Sequence, residues 1–316
     1  PQAVGAGAIR ASRITRQTIA GKSGGVFHVL APGPSALLAP ALRLDRALNL
    51  RAATPGRLAV TLLLWNALAA ALVAALFLLL RDATGRPGLA ALLAAGFALT
   101  PPFVFYFYQF YPEMLGALGL TLALRVLVFE PWWTRRTGWW LGLLLATLPW
   151  LHQKFLPVWG VLVLWAVARA VSQMVTLPAL LGLLIPQAVT LYLTALYNFA
   201  ITGSVRPDAL FLAWGPAGVT TARAGQGLLG LLLDARYGIL PYAPLYLLAA
   251  GGLVLGGTAA ARLRTALPAA LVYYLTVASA DNWSGAVCNL GRYFMPVAPY
   301  AVALAAVALV RVLDRP

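Results

Sequence analysis

Apolar residues run through this chain in long blocks with short polar breaks between them. The blocks cover residues 58–80, 88–108, 112–129, 138–151, 155–168, 174–199, 239–257, 265–279 and 293–310. A helix needs about 20 mainly apolar residues to cross the hydrocarbon core of a bilayer. The pattern predicts an all-α, polytopic transmembrane bundle of nine spans. Residues 138–151 and 155–168 are split by His152-Gln153-Lys154, so they read either as one overlong helix or as two spans. Two spans put the loops at 81–87, 131–137, 169–173 and 259–264 and the tail 311–316 on one side. That side then holds Arg81, Arg86, Arg135, Arg136, Arg169, Arg262, Arg264, Arg311 and Arg315. One span would scatter these arginines. The positive-inside rule therefore favours two spans and makes that side cytoplasmic.

The breaks carry further signals. Residues 35–50 are apolar but contain Arg43, Asp45 and Arg46, too short and too charged to cross, so an interfacial helix is expected with Ser35 as its cap. Residues 1–57 thus divide from the membrane domain, 58–316, as the end of an external loop plus a juxtamembrane helix. External loops are expected near 109–113, 151–155, 200–238 and 280–292, the third with a surface-lying apolar stretch at 227–233. Pro101-Pro102 should kink or break the second block. Pro112 suits the first turn of the third. Arg125 can snorkel, and Trp132, Trp133, Trp139 and Trp140 around Arg135-Arg136 mark an interface.

Composition sharpens this reading. Hydrophobic residues make up 61% of the 316 and charged residues 10%, against roughly 25% charge in a soluble domain. Mean hydropathy is +0.83. The net charge of +15 suits anionic lipid headgroups. The arginines are spread between apolar blocks and form no groove-sized patch, which argues against nucleic acid. One cysteine, Cys288, excludes an intrachain disulfide, and with two histidines it cannot build a structural zinc site. Abundant Leu, Ala, Gly and Arg with little Lys suggests a GC-rich bacterial genome.

The chemistry collects on the other face. His28, Tyr111, Glu113, His152, Lys154, Asp208, Asp234, Arg236, Tyr237, Asp281, Trp283 and Arg292 all fall in the expected external segments. Ionisable groups at membrane depth usually face a cavity. Glu113, one of eight acidic residues, reads as a carboxylate at a helix start, stabilised by the dipole, or as a functional acid. Lys154, with His152, reads as an interfacial snorkel or as an anion ligand. Asp234 and Arg236 read as paired with each other or with neighbours. Arg292 is a headgroup contact or a phosphate grip. The aromatic residues 103–110 are interface packing or a sugar-stacking platform. Cys288 reads as inert. No metal-ligand spacing, phosphate-cradling loop or nucleophile elbow is present.

Four stretches carry a family resemblance: FHVLAPGPSALLAPAL (27–42), TPPFVFYFYQFYPEMLGALGLTLALR (100–125), DARYGILPYAPLYLL (234–248) and NWSGAVCNLGRYFMPVAPY (282–300). In order and spacing they resemble the polytopic GT-C glycosyltransferases of bacterial inner membranes. The first is similar to the end of that family's first external loop, and the second to its second loop, where an acidic residue opens the next span. The resemblance implies transfer of a sugar from a polyprenyl-phosphate carrier to an external glycan, lipid or protein acceptor, with no cofactor beyond the lipid-linked donor and room for a divalent metal. It implies that Glu113 is a second-loop acid, that Arg292 with Lys154 or Arg236 holds the phosphate, and that His28 lines the cavity. The family's acidic motif follows its first span. This chain begins Pro-Gln-Ala and has no acid before Asp45, so both features are expected either upstream of Pro1 or not at all. A transporter or lipid flippase, with broken helices and cavity-facing charges, is the alternative. A non-catalytic membrane scaffold is a third reading.

Overall fold

A computed structural model describes residues 18–48, 58–214, 224–255, 257–285 and 290–314. Cys288 and the arginines before residue 18 lie outside them. The fold is helical apart from a small antiparallel hairpin, β1 (Thr18–Ala20) with β2 (Val26–His28), paired Thr18 to His28. The interfacial helix α1 (Gly33–Ala47) starts earlier than expected. Pro34 opens it, and Ser35 makes no side-chain cap.

The first blocks become α2 (Ala59–Thr84), α3 (Pro87–Ala98), α4 (Phe103–Tyr106) and α5 (Pro112–Phe129). Pro101-Pro102 breaks the second block into α3 and α4, as the fixed proline geometry requires. Next come α6 (Arg135–Leu151), a 3-10 turn at Gln153–Phe155, α7 (Leu156–Ser172) and α8 (Leu177–Thr202). Residues 138–168 are therefore two helices parted at His152, whose extended backbone (φ −173°) ends α6.

The two helices run in opposite directions. Gln173, at the far end of α7, donates from its amide to the Pro131 carbonyl just ahead of α6. Helix α8 then runs parallel to α6 at very close range. A Cβ on Gly138 would meet the Ala179 carbonyl at 2.1 Å, and one on Gly142 would meet the Gly182 carbonyl at 2.2 Å. Small residues allow this approach, the usual packing device in lipid. Interhelical hydrogen bonds reinforce it. Gln187 Nε2 donates to the Gly142 carbonyl at 2.7 Å and Gln187 Oε1 accepts from Trp159 Nε1 at 2.8 Å. Such bonds in bilayers contribute about 0.6 kcal/mol each.

The remaining elements are α9 (Ala209–Trp214), α10 (Ala224–Leu233), a 3-10 turn at Pro244–Leu247, α11 (Leu248–Val254), α12 (Thr258–Arg264), α13 (Leu267–Ala278), a 3-10 turn at Arg292–Phe294, and α14 (Ala298–Leu313). Block 239–257 is thus a 3-10 turn and a seven-residue helix, not the single span expected. Among the described residues, α2, α5, α8 and the segment Gln153–Ser172 are long and apolar enough to cross a membrane. A fifth candidate arises if Pro244–Val254 and Thr258–Arg264 form one bent span. The other apolar helices fall short of the ~20-residue requirement, so helix length supports four or five spans and does not reach nine. The chain is a helical membrane protein. Helix α5 lies at its centre, with Met114, Ala117, Leu120, Ala123 and Leu127 buried, whereas α8 shows Leu181, Ile185, Tyr192 and Phe199 outward.

Polar groups gather at two opposite ends. At one, Arg81 and Arg125 hold Asp82, Arg86 holds Asp314, and Arg169 donates to the Glu130 carbonyl. Arg125, placed in the sequence as able to snorkel, pairs with Asp82 within the protein. The other end holds Glu113.

Candidate functional site

Three helix breaks build the site. Tyr111 takes the extended conformation that a following proline demands (ψ 144°), and Pro112 opens α5. Glu113 thus lies in the first turn of α5, where a carboxylate meets the positive end of the helix dipole. At the α6–α7 break, His152 Nδ1 accepts from the backbone N–H of Lys154 at 3.2 Å, fixing the turn that carries Lys154. At the third break, Gly291 sits at φ 74°, a conformation that favours glycine, and a Cβ there would also meet Ile239 at 2.8 Å. Its N–H bonds the Tyr237 carbonyl at 3.2 Å, and Arg292 follows directly.

These breaks bring Glu113, Lys154 and Arg292 together. Glu113 is fully buried, with its Oε1 accepting from Arg292 Nε at 2.8 Å and also from Lys154 Nζ. Glu113 Oε2 is buried and accepts no hydrogen bond from the described residues. Lys154 is 9% exposed and Arg292 14%, so all three charges are largely out of water. Aromatic rings complete the shell. Arg292 lies 3.9 Å from the centre of the Tyr111 ring and 5.2 Å from that of Tyr293. Lys154 lies 4.4 Å from the Tyr293 ring centre. Ring faces attract cations strongly where water is excluded.

Residue 116, one turn past Glu113, must be small. A Cβ on Gly116 would meet the Phe155 ring at 2.2 Å, and Phe155 stacks on Tyr273 with centroids 5.5 Å apart. That stack fixes the floor beneath Lys154. Removal from water, and next the Lys154 charge, hold the His152 imidazole well below its ordinary pKa; Glu113 pulls the other way and Arg292 adds to the lowering. The ring is therefore neutral at physiological pH. Because Nδ1 accepts, the proton sits on Nε2.

The other expected site residues have different settings. Asp234 works through the backbone. Its Oδ1 accepts from the N–H groups of Arg236 at 2.8 Å and Tyr237 at 2.9 Å. The Arg236 carbonyl accepts from the Leu290 N–H at 3.3 Å, so this turn anchors the strand of backbone that delivers Arg292. Trp283 packs edge-on against Tyr237 at 6.0 Å. His28 ends β2, exposed, and its Nδ1 accepts from the Leu30 N–H at 3.2 Å; no contact found joins it to Glu113. Among the aromatics, Phe103 and Tyr106 are core residues and Phe110 packs on Trp65 at 5.0 Å, so packing is their main role, with Tyr108 exposed.

Tyr293, Tyr273 and Gly116 were not singled out in the sequence. Tyr293 had a signal, its place beside Arg292. Among the described residues, no group of three or more His, Cys, Asp or Glu could hold a metal ion. An apolar recess lined by Leu120, Leu124, Val158, Leu162, Val297 and Tyr300 opens between α5, α7, α13 and α14. It starts about two turns along α5 from Glu113 and about one turn along α7 from Lys154. The chain matches no protein-family model, no curated protein and no solved structure.

Proposed function

We propose that this protein is an integral-membrane glycosyltransferase of the GT-C type. It moves a hexosyl or pentosyl group from a polyprenyl-phosphate donor to an acceptor at the external face of a bacterial inner membrane. The observation that supports this reading is the Glu113 carboxylate: buried at a helix start, with Oε1 on two cations and Oε2 accepting nothing from the described residues. In an inverting transfer, a carboxylate takes the acceptor hydroxyl proton as the new bond to the sugar forms. The phosphate leaves with the bonding electrons, and Lys154 and Arg292 stabilise its charge.

On this reading the Glu113 end is external and the arginine-rich end cytoplasmic. The chain then passes between the ends nine times, with α3–α4, the residue 244–254 segment and α13 as short crossings inside the bundle, where irregular backbone is tolerated. The test is reconstitution of the full chain in proteoliposomes with a polyprenyl-phosphate sugar. Glu113→Gln should abolish transfer per folded molecule. Unchanged transfer would remove Glu113 from the mechanism. The breaks at Pro101-Pro102 and His152, which frame a buried charge cluster, favour one second reading, a transporter or lipid flippase. Solute or lipid movement in the same vesicles, without glycosyl transfer, would select it.

A further inference from the structure

The cations proposed for the phosphate already have an anion. Lys154 Nζ and Arg292 Nε converge on one atom, Glu113 Oε1, while Oε2 receives nothing from the described residues. Glu113 carries −1, Lys154 +1 and Arg292 +1, and His152 is neutral, so the buried cluster sums to +1. The Tyr111 and Tyr293 rings cover both cations with electron-rich faces. A phosphate reaching these cations must take hydrogen bonds that Oε1 now holds.

We propose that Glu113 is the resident counter-anion of a phosphate-binding site, and that a ligand phosphate and the Glu113 carboxylate compete for Lys154 and Arg292. This deepens the proposed function and rests on its assignment of the phosphate to that pair. It also gives the base a trigger. While Oε1 holds two cations, the carboxylate is a poor proton acceptor, because both stabilise its ionised form. A phosphate that draws Lys154 and Arg292 away removes that stabilisation in a site with little water to replace it. The carboxylate then becomes basic only when the donor is in place, and an acceptor proton moves only when a leaving group is ready.

The test uses purified full-length protein in detergent, with inorganic phosphate and a micelle-borne prenyl phosphate as separate probes. Thermal unfolding is followed against each probe for the wild type, Glu113→Gln, Glu113→Asp and Glu113→Gln/Arg292→Gln. A charged hydrogen bond contributes about 1.5–3 kcal/mol, so removing the competitor should strengthen phosphate binding about tenfold or more in Glu113→Gln. Glu113→Asp, which keeps the charge but withdraws it by one methylene, should fall between and covers a failure of the glutamine variant to fold. The double variant should lose the response. Much tighter binding of the prenyl phosphate than of inorganic phosphate would identify a lipid headgroup; equal binding would identify free phosphate. Equal or weaker phosphate binding in both single variants overturns the competition. That result would leave the glycosyltransferase reading standing, whereas absent transfer by the wild-type protein together with tightened phosphate binding in Glu113→Gln would do the reverse.

Discussion

Two carboxylates in this protein each hold two cations, at opposite ends of the bundle. Asp82 bonds Arg81 at 2.9 Å and Arg125 at 2.6 Å, and its side chain is 18% exposed with arginines 42% and 31% exposed. Glu113 bonds Lys154 and Arg292 with no exposure of its own. The inventory is the same and the setting differs. Around Asp82, water and salt screen the charges and take up any partner that is lost. Around Glu113 lie aromatic rings, the neutral His152 and two cations, and one carboxylate oxygen accepts nothing from the described residues. Partly exposed ion pairs hold helix ends together. In the proposed mechanism, the buried cluster is where ligand and protein exchange partners.

The strongest way to break this comparison is to remove the buried carboxylate. Glu113→Ala leaves two cations out of water with no counter-anion, and orphaning a buried charge costs about 3–5 kcal/mol. Thermal unfolding in phosphate-free detergent should show that loss; a change under about 1 kcal/mol would mean the cations reach water freely.

A third carboxylate sharpens the contrast. Asp45 is fully buried with no ion pair among the described residues; it accepts from the Val60 N–H at 2.8 Å, the Thr61 N–H at 3.0 Å and the Thr61 hydroxyl at 2.7 Å, capping α2 from another helix. Burial opposes its ionisation most, yet these donors outweigh it and hold the carboxyl below its ordinary range. A depressed folded pKa gives stability that is fully present above the unfolded value, about 4, and is lost as pH falls through the folded one. Asp45→Asn should therefore lower stability at neutral pH and flatten its decline in acid. A parallel acid decline in the variant and the wild type would show that Asp45 does not set it.

The smallest effect is expected at the exposed end. Asp82→Asn should cost at most about 1 kcal/mol, less at high salt, because exposed pairs are screened. A loss as large as that of Glu113→Ala would erase the distinction between the two ends.

Much of this was legible in the sequence. Helix α5 begins at Pro112 and ends at Phe129 as the apolar block does, because proline fixes one end and Glu130-Pro131 the other. His152 divides α6 from α7, as the arginine pattern required. Glu113, Lys154 and Arg292 stood out because charge is rare in such a chain. Their convergence did not, since it depends on three helix breaks meeting across the bundle. Asp45 read as an interfacial charge because a cap donated from a neighbouring helix leaves no local pattern. Block 239–257 failed because hydropathy does not register the turns that Pro241 and Pro244 impose. Tyr293 and Gly116 were hidden for a different reason: one aromatic and one glycine among many gain meaning only from the ring or cation they touch.

The most direct measurement is glycosyl transfer from a polyprenyl-phosphate sugar by Glu113→Gln and Asp82→Asn side by side, each normalised to folded protein in proteoliposomes. The account predicts that transfer is abolished in the first and stays near wild type in the second. Equal losses in both, or transfer retained in Glu113→Gln, would contradict it.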